Sequence, residues 1–161
     1  MAEPVAAKAN VVQKELSVNV PIARVFAAFT QNMAAWWPAT HHIAKQPFAE
    51  ITVEPRAGGR WFERAADGSE CDWGRVLAWE PPHRVVFSWH LQADWNFDPD
   101  PEKASEVEVR FVAEGTDKTR VELEHRKLER HGESWEKVRT GVDSPRGWTF
   151  ILEAFAKAVA S

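Results

Sequence analysis

The chain of 161 residues contains no tyrosine and a single cysteine, Cys71. One cysteine excludes an intramolecular disulfide and any zinc site that is built from several cysteines. The aromatic residues are instead nine tryptophans and nine phenylalanines. This balance is unusual, so the positions of the tryptophans become the first clue to what the chain does.

Neither positive nor negative charge dominates the chain, and the chain has no long apolar run. The net charge is −4, which argues against a general nucleic-acid binder because such proteins present a basic face. No run approaches the ~18 apolar residues of a transmembrane helix, so no stable membrane insertion is expected. Residues 1–10 lack the basic start and apolar core of a signal peptide and are predicted to form a loose tail. We expect one domain over residues 11–161 and a cytoplasmic location.

Sequence motifs of several common chemistries are missing. The chain has no G-x-x-x-x-G-K-[ST] or G-x-G-x-x-G run to cradle a nucleotide, and no G-x-S-x-G nucleophile elbow. His41 and His42 are adjacent, but no other nearby His or Cys has the spacing of a zinc site. The sequence therefore predicts neither a cofactor nor a metal ion.

The first part of the chain predicts a strand followed by two helices. Residues 11–20 alternate in part and are β-branched, which favours a strand. Pro21 suits the first turn of a helix, whose apolar residues then recur at spacings of three and four. Thr30 is a candidate cap for a second short helix that carries Trp36 and Trp37 and ends at Pro38. Residues 38–48 form an irregular connection.

The middle of the chain has the two-residue period of strands. Asp67-Gly68 is a strong hairpin signal because type I′ turns need positive φ, and two Asp-Pro pairs keep residues 94–104 in a loop. The predicted strands cover residues 51–54, 60–64, 70–80, 84–91, 106–113 and 119–126.

The last part of the chain predicts two helices. A short helix carries Trp135, Val138 and Val142, and Ser144-Pro145 has the signature of a cap and first turn for a longer one. The longer helix has one apolar stripe. Together, the elements predict an α+β fold in which a curved antiparallel sheet of about six or seven strands is closed by the C-terminal helix.

Residues 58–95 concentrate five of the nine tryptophans. Strand alternation places Val85, Phe87 and Trp89 on one face, and it also gives residues 71, 73, 75, 77 and 79 a common face. Such a cluster either fills a core or lines a pocket, and the pattern alone leaves both open. The tryptophans concerned are Trp61, Trp73, Trp79, Trp89 and Trp95.

An ordered set of short motifs resembles the START-like (SRPBCC) superfamily, in the branch named for the activator of Hsp90 ATPase. The resemblance spans nearly the whole chain and implies a helix-grip fold with an elongated cavity between sheet and C-terminal helix. It implies no single function, since members carry lipids or hormones, act on small molecules, or bind chaperones. The motifs are Val20–Phe26, Trp36-Trp37-Pro38, Gly58–Trp61, Trp73–Val76, Glu80-Pro81-Pro82, Phe87-Ser88-Trp89, Thr119–His125 and Gly147-Trp148.

Two histidines on strands differ in their predicted direction. His125 follows an inward alternation, so it is the best candidate for a polar group that orients a ligand, although an inward histidine is more often structural. His90 is expected to face outward. Arg75 and Glu63 are candidates for a charge pair in the same space. The full set of predicted ligand-binding residues is Trp36, Trp37, Trp61, Trp73, Phe87, Trp89, Val109, Phe111, Leu123, His125, Trp148 and Leu152.

Three functions remain open from the sequence. The first is binding of a small apolar or aromatic ligand in a hydrophobic cavity, with one of Trp36 and Trp37 at its mouth. The second is a chaperone interaction of the Hsp90 type, which only the family resemblance suggests. The third is an enzyme acting on a small hydrophobic substrate, with His125 as acid or base; the sequence shows no paired titratable groups for it.

Overall fold

The computed structural model describes residues 10–38, 40–41, 48–94 and 96–160. Nine residues of the predicted tail, most of the connection over 38–48 with His42, and Trp95 lie outside this part. Within these residues there are seven strands and three α-helices, and short 3₁₀ segments lie in some of the connections. They are β1 Val12–Val18, α1 Ile22–Gln31, β2 Phe48–Val53, β3 Arg60–Ala65, β4 Glu70–Glu80, β5 Arg84–Trp89, β6 Ser105–Gly115, β7 Lys118–Arg126, α2 Trp135–Val142 and α3 Trp148–Val159.

The seven strands form one antiparallel sheet in the order β1-β7-β6-β5-β4-β3-β2. The sheet curls into a half-barrel, and α3 packs against its inner face by an apolar stripe. This arrangement confirms the predicted α+β helix-grip fold. The residues of the stripe are the buried Trp148, Ile151, Leu152, Phe155 and Val159.

The inner face of the sheet is apolar and the outer face is charged, because side chains alternate along each strand. Val109, Leu123 and their neighbours are fully buried beneath the helices. On the outer face, Glu108 accepts hydrogen bonds from Arg84 at 2.6 Å and from Arg126. Burial opposes the charged carboxylate, but the Arg126 and Arg84 contacts outweigh it and lower the pKa of Glu108 to about 2.

Two helix starts differ from the sequence prediction. Thr30 caps no second helix; its hydroxyl donates to the carbonyl of Phe26 inside α1, and the turn that follows is a 3₁₀ segment, Met33–Ala35. Ser144 does not start the last helix either. Its hydroxyl donates to the Gly141 carbonyl and so closes the end of α2 instead. In both cases the hydroxyl bonds back to a preceding carbonyl rather than forward to a free N–H.

The alternation predicted for β4 is broken at two places. The pairing of β4 shifts by one residue beside Trp73 against β3, and again beside Leu77 against β5. Each shift leaves one extra residue on β4 and reverses which face the next residues occupy. Trp73 and Val76 therefore face inward, whereas Leu77 is 45% exposed. The common face predicted for residues 71, 73, 75, 77 and 79 was wrong for this reason.

Candidate ligand-binding site

A cavity of about 420 Å³ lies at one end of the half-barrel, between the sheet and the junction of α2 and α3. Its walls come from three parts of the chain: the loop after α1, the ends of β4 and β5, and the turn into α3. Its volume lies within the range of small-molecule pockets. The lining residues are Trp37, Thr40, His41, Trp73, Trp89, Leu91, Gly141, Val142, Ser144, Arg146, Gly147, Trp148 and Ile151.

Four tryptophans form an aromatic wall around this cavity, namely Trp37, Trp73, Trp89 and Trp148. Trp37 packs against two of the others: its ring centre lies 4.9 Å from that of Trp73 and 6.1 Å from that of Trp148. The ring centres of Trp89 and Trp148 are 5.5 Å apart. These are the tilted and edge-to-face distances that aromatic pairs prefer, so the rings hold one another in place.

The indole N–H groups of Trp37, Trp73 and Trp148 are bonded to the protein. Trp37 donates to the carbonyl of His41 at 2.9 Å, and Trp73 donates to the buried carboxylate of Glu63 at 2.8 Å. Trp148 donates to Nδ1 of His125 at 3.0 Å. Because these donors are already used, the three rings are fixed in orientation and are left to make apolar contacts with whatever occupies the cavity.

Gly74 sets the spacing between the two strands that carry Trp73 and Trp89. A Cβ atom at Gly74 would lie 1.7 Å from the carbonyl oxygen of Ser88, so no larger residue fits between β4 and β5 there. The amide of Arg75 then donates to the Ser88 hydroxyl at 2.9 Å. This close approach of β4 to β5 lies next to Trp73 and Trp89, which both line the cavity.

The mouth of the cavity is closed on one side by a contact between two loops. His41 Nε2 lies 2.8 Å from the carbonyl oxygen of Arg146, so this nitrogen donates, and Nδ1 accepts from the hydroxyl of Thr40 at 2.9 Å. The Arg146 guanidinium in turn donates to the same hydroxyl oxygen at 3.3 Å. The His41 ring also packs on Phe150, with ring centres 5.6 Å apart. The loop after α1 is thereby tied to the turn into α3.

A chain of buried hydrogen bonds continues from Trp148 to the outer loop. Ser105 Oγ lies 2.7 Å from Nε2 of His125 and 2.7 Å from Nε2 of His131. His131 Nδ1 lies 3.0 Å from the side-chain oxygen of Gln92. We call this series, from Trp148 through His125, Ser105 and His131 to Gln92, the buried relay.

The indole N–H of Trp148 determines which atom donates and which accepts in every hydrogen bond of the buried relay. An indole N–H only donates, so Nδ1 of His125 accepts and its neutral ring carries the proton on Nε2. That proton is donated to Ser105, whose own proton goes to Nε2 of His131. The proton of His131 then lies on Nδ1 and is donated to Gln92. The Gln92 amide nitrogen ends the series by donating to the carbonyls of His90 and Lys103.

Both histidines of the buried relay are held neutral. Burial, with a smaller effect of His131, lowers the pKa of His125 to about 3. Burial, with a smaller effect of His90, lowers the pKa of His131 to about 4. A neutral imidazole is what the relay requires, since a protonated His125 would have no acceptor for the indole N–H of Trp148.

The structure divides the predicted ligand-binding residues into two groups. Trp37, Trp73, Trp89 and Trp148 line the cavity. The others are buried in the hydrophobic core next to it, and His125 lies behind Trp89 and Trp148 with both ring nitrogens already bonded. Whether any of the twelve touches a ligand stays a prediction. The core group comprises Trp36, Trp61, Phe87, Val109, Phe111, Leu123, His125 and Leu152.

The structure locates three further groups of residues. Trp36 is buried in the core, where it donates to the Ala28 carbonyl and packs beside Phe155, whereas Trp37 is buried at the cavity and lines it. His90 is on the outer face but is buried there, since the loop after β5 covers it and its Nδ1 bonds the Asp98 carbonyl. Glu63 and Arg75 form no pair: Glu63 faces inward to Trp73, whereas Arg75 pairs with Asp72 on the outer face.

Part of the lining could not be found from strand patterns. Thr40, His41, Leu91, Ser144 and Arg146 lie in loops, where no period indicates which side chains face inward. Two adjacent histidines follow Trp36-Trp37-Pro38, and this segment is a candidate for the cavity mouth from sequence, but the pattern assigns no separate contact to His41. The structure shows His41 in a different role, bridging the two loops at the cavity mouth.

Comparison with protein families agrees with this architecture. The family model described as activator of Hsp90 ATPase homolog 1-like protein matches residues 19–160. The chain therefore belongs to this family, within the START-like class that its helix-grip fold and cavity define. Among curated protein sequences, none matches the chain significantly.

Solved structures provide several relatives. An anthrahydroquino-γ-pyrone synthase, Txn09, is 40% identical over 92% of this chain and 96% of its own, with a TM-score of 0.66. The self-sacrificing resistance protein CalC of Micromonospora echinospora is 29% identical over 94% and 95%, with a TM-score of 0.69. Protein NE0264 of Nitrosomonas europaea is 14% identical over 98% and 97%, with a TM-score of 0.66, and shows the fold alone.

Within the described residues, no helix has both the length and the apolar character that crossing a membrane requires.

Proposed function

We propose that this protein binds a planar aromatic small molecule in the cavity at the junction of α2 and α3. The observation that carries the proposal is the aromatic wall, in which the indole N–H groups of Trp37, Trp73 and Trp148 are bonded to protein atoms. Rings fixed in this way present flat apolar surfaces, which favour flat apolar ligands by stacking and by edge contacts. A cavity of about 420 Å³ suits a molecule with a few fused rings.

The relatives support an aromatic rather than an aliphatic ligand. The 40% identical Txn09 is named as a synthase of an anthrahydroquinone fused to a γ-pyrone, which is a flat polycyclic ring system. The aromatic wall would suit the same class of compound in this chain. An elongated fatty acid would use such a wall less well, because a flexible chain makes no stacked contact and loses more entropy when it is held.

The test is a titration with N-phenylnaphthylamine, a neutral aromatic dye whose fluorescence rises in an apolar site. The wild-type protein should show saturable binding. Ile151→Phe adds volume inside the cavity and should weaken binding at least ~5-fold, because overfilling a packed site is costly. Leu77→Phe makes a similar change on the exposed outer face and should leave the affinity unchanged. Binding that neither variant alters would refute the cavity as the site.

A second candidate is an enzyme that transforms an aromatic substrate in the same cavity. The identity with Txn09, a synthase, is the observation that favours it. Among the described lining residues, His41 carries the one imidazole, which is the side-chain type that most often serves enzymes as general acid or base. Under this reading His41→Gln loses turnover of an anthrahydroquinone substrate while dye binding is retained; unchanged turnover would remove His41 from the mechanism.

The chaperone interaction suggested by the family description stays a prediction. Stoichiometric retention of an Hsp90-type chaperone in a pull-down, with no saturable dye binding, would favour it over the ligand-binding function.

A further inference from the structure

The mouth of the cavity carries a permanent positive charge. Arg146 lines the cavity at the turn into α3, and arginine stays protonated at any physiological pH. Its Nη2 atom lies 3.3 Å from the hydroxyl oxygen of Thr40, which also lines the cavity. The guanidinium carbon lies 5.8 Å from the ring centre of Phe150. These contacts place the guanidinium at the rim, beside Thr40.

The described lining of the cavity provides no carboxylate to balance this charge at the mouth. Among the lining residues in the part of the chain that the structure describes, none is Asp or Glu. Within that part, Arg146 also makes no ion pair. Other arginines of the protein do pair: Arg84 lies 2.6 Å from Glu108, and Arg120 lies 2.8 Å from Glu122. In a chain with a net charge of −4, the cavity rim is thus a local positive region.

We propose that the ligand of this cavity is an aromatic anion whose acidic group is bound by Arg146. This inference rests on the proposed function, since it assigns a chemical class to the molecule held by the aromatic wall. The fused rings lie between the tryptophans, and a carboxylate, sulfonate or phenolate oxygen lies at the rim. The planar guanidinium fork suits such oxygens, and the Thr40 hydroxyl oxygen, which accepts from Nη2, holds the guanidinium at the rim.

The two parts of the site contribute differently to recognition. Burial of the rings provides most of the affinity, because it removes a large apolar surface from water. The ion pair at the rim is partly exposed to solvent, so its effect on affinity is moderate and depends on salt. Its main effect is orientation: it decides which edge of the ring system faces the mouth and which edge reaches the inner wall.

A matched pair of dyes tests the proposal. Anilinonaphthalene sulfonate carries the same rings as N-phenylnaphthylamine but adds one sulfonate, so the ratio of their affinities isolates the effect of the negative charge. Both dyes are titrated into the wild-type protein, Arg146→Gln, Arg146→Lys and Lys118→Gln. Lys118 is exposed at the start of β7, so its replacement makes the same change in net charge on a different element. The backbone carbonyl of Arg146 keeps its His41 contact in every variant.

The expected result is a selective loss of sulfonate binding. Arg146→Gln should weaken the binding of the sulfonate dye about tenfold at low salt, and the neutral dye should change less than about twofold. Arg146→Lys should restore much of the loss, and Lys118→Gln should leave both affinities unchanged. If both dyes bind but Arg146→Gln alters neither or both equally, the proposal is wrong while the cavity stands. If neither dye binds the wild type, the proposed function itself fails.

Discussion

The indole nitrogen of Trp148 donates to Nδ1 of His125 at 3.0 Å, and this bond joins the wall of the cavity to the buried relay. His125 is fully buried and does not line the cavity. It therefore acts on the site through Trp148, by fixing the direction of the indole ring. A histidine that seemed a candidate ligand contact from the strand pattern is in the structure a support for an aromatic contact.

Replacement of His125 should separate the loss of a hydrogen-bond acceptor from the loss of volume. His125→Leu leaves the buried indole N–H and the Ser105 hydroxyl without this partner, so the free energy of unfolding should fall by about 2–4 kcal/mol. His125→Gln offers one acceptor and one donor, as the neutral imidazole does, and should lose at least ~1 kcal/mol less. Urea unfolding measures both. Equal losses in the two variants would show that the relay bonds contribute little.

The buried relay makes stability depend on pH. Histidine in the unfolded chain has a pKa near ~6.5, whereas the folded values of His125 and His131 are about 3 and about 4. As the pH falls from about 6.5 toward 4, the unfolded state binds protons that the folded state does not bind, so stability decreases. His131→Gln removes one of the two groups that bind a proton in the unfolded state but not in the folded state. The slope of the free energy of unfolding against pH should therefore fall by ~1.4 kcal/mol per pH unit between pH 5.5 and 4.5. Urea unfolding at several pH values measures the slope; an unchanged slope would contradict the neutral relay.

Gly74 should be required for the approach of β4 to β5. Gly74→Ala places a methyl group 1.7 Å from the carbonyl oxygen of Ser88 and should destabilise the fold by ~3 kcal/mol or more, because backbone atoms must move. Gly58→Ala is the matched control: its φ is +87° but its Cβ meets nothing within 4 Å. It should cost only ~1–2 kcal/mol from backbone strain. Thermal unfolding of the two variants tests this order, and the reverse order would refute the close-approach argument.

The outer face should contribute stability through Glu108. Its folded pKa of about 2 is lower than the usual carboxyl value, so its contribution is complete above pH ~4.5 and is lost as the pH falls toward 2. At neutral pH, Glu108→Gln leaves Arg84 and Arg126 without this carboxylate and should cost ~1–3 kcal/mol in urea unfolding. The cost should shrink below pH 3, where wild-type Glu108 begins to protonate. A cost that is independent of pH would contradict the ion-pair account.

The sequence predicted the fold class and the order of the strands and of α1, α2 and α3, whereas the second helix expected after Thr30 is the 3₁₀ segment Met33–Ala35. Alternation on β6 and β7 is uninterrupted near Val109 and Leu123, so their inward direction was predicted correctly. The stripe on α3 was equally clear, because helical spacing over twelve residues leaves few alternatives.

The direction of side chains on β4 and the extent of the cavity could not be predicted from pattern. The extra residues beside Trp73 and Leu77 reverse the alternation. Gly74 is a residue type that often marks a bulge inside a strand, but it does not fix where the pairing shifts, and no such residue stands next to Leu77. The cavity depends on loops that meet only in three dimensions, as His41 and Arg146 do. Membership of the family implied that a cavity exists but not which four tryptophans form its wall.

Side-chain NMR can show whether the aromatic wall binds the ligand. Each tryptophan gives one indole N–H signal, so a titration with N-phenylnaphthylamine reports on the rings individually once the signals are assigned by substitution. The signals of Trp37, Trp73, Trp89 and Trp148 should shift together and saturate at one equivalent of dye. The signal of Trp79, which packs on Phe26 by edge contact, should stay in place. Saturable binding that moves Trp79 and leaves those four unchanged would contradict the account.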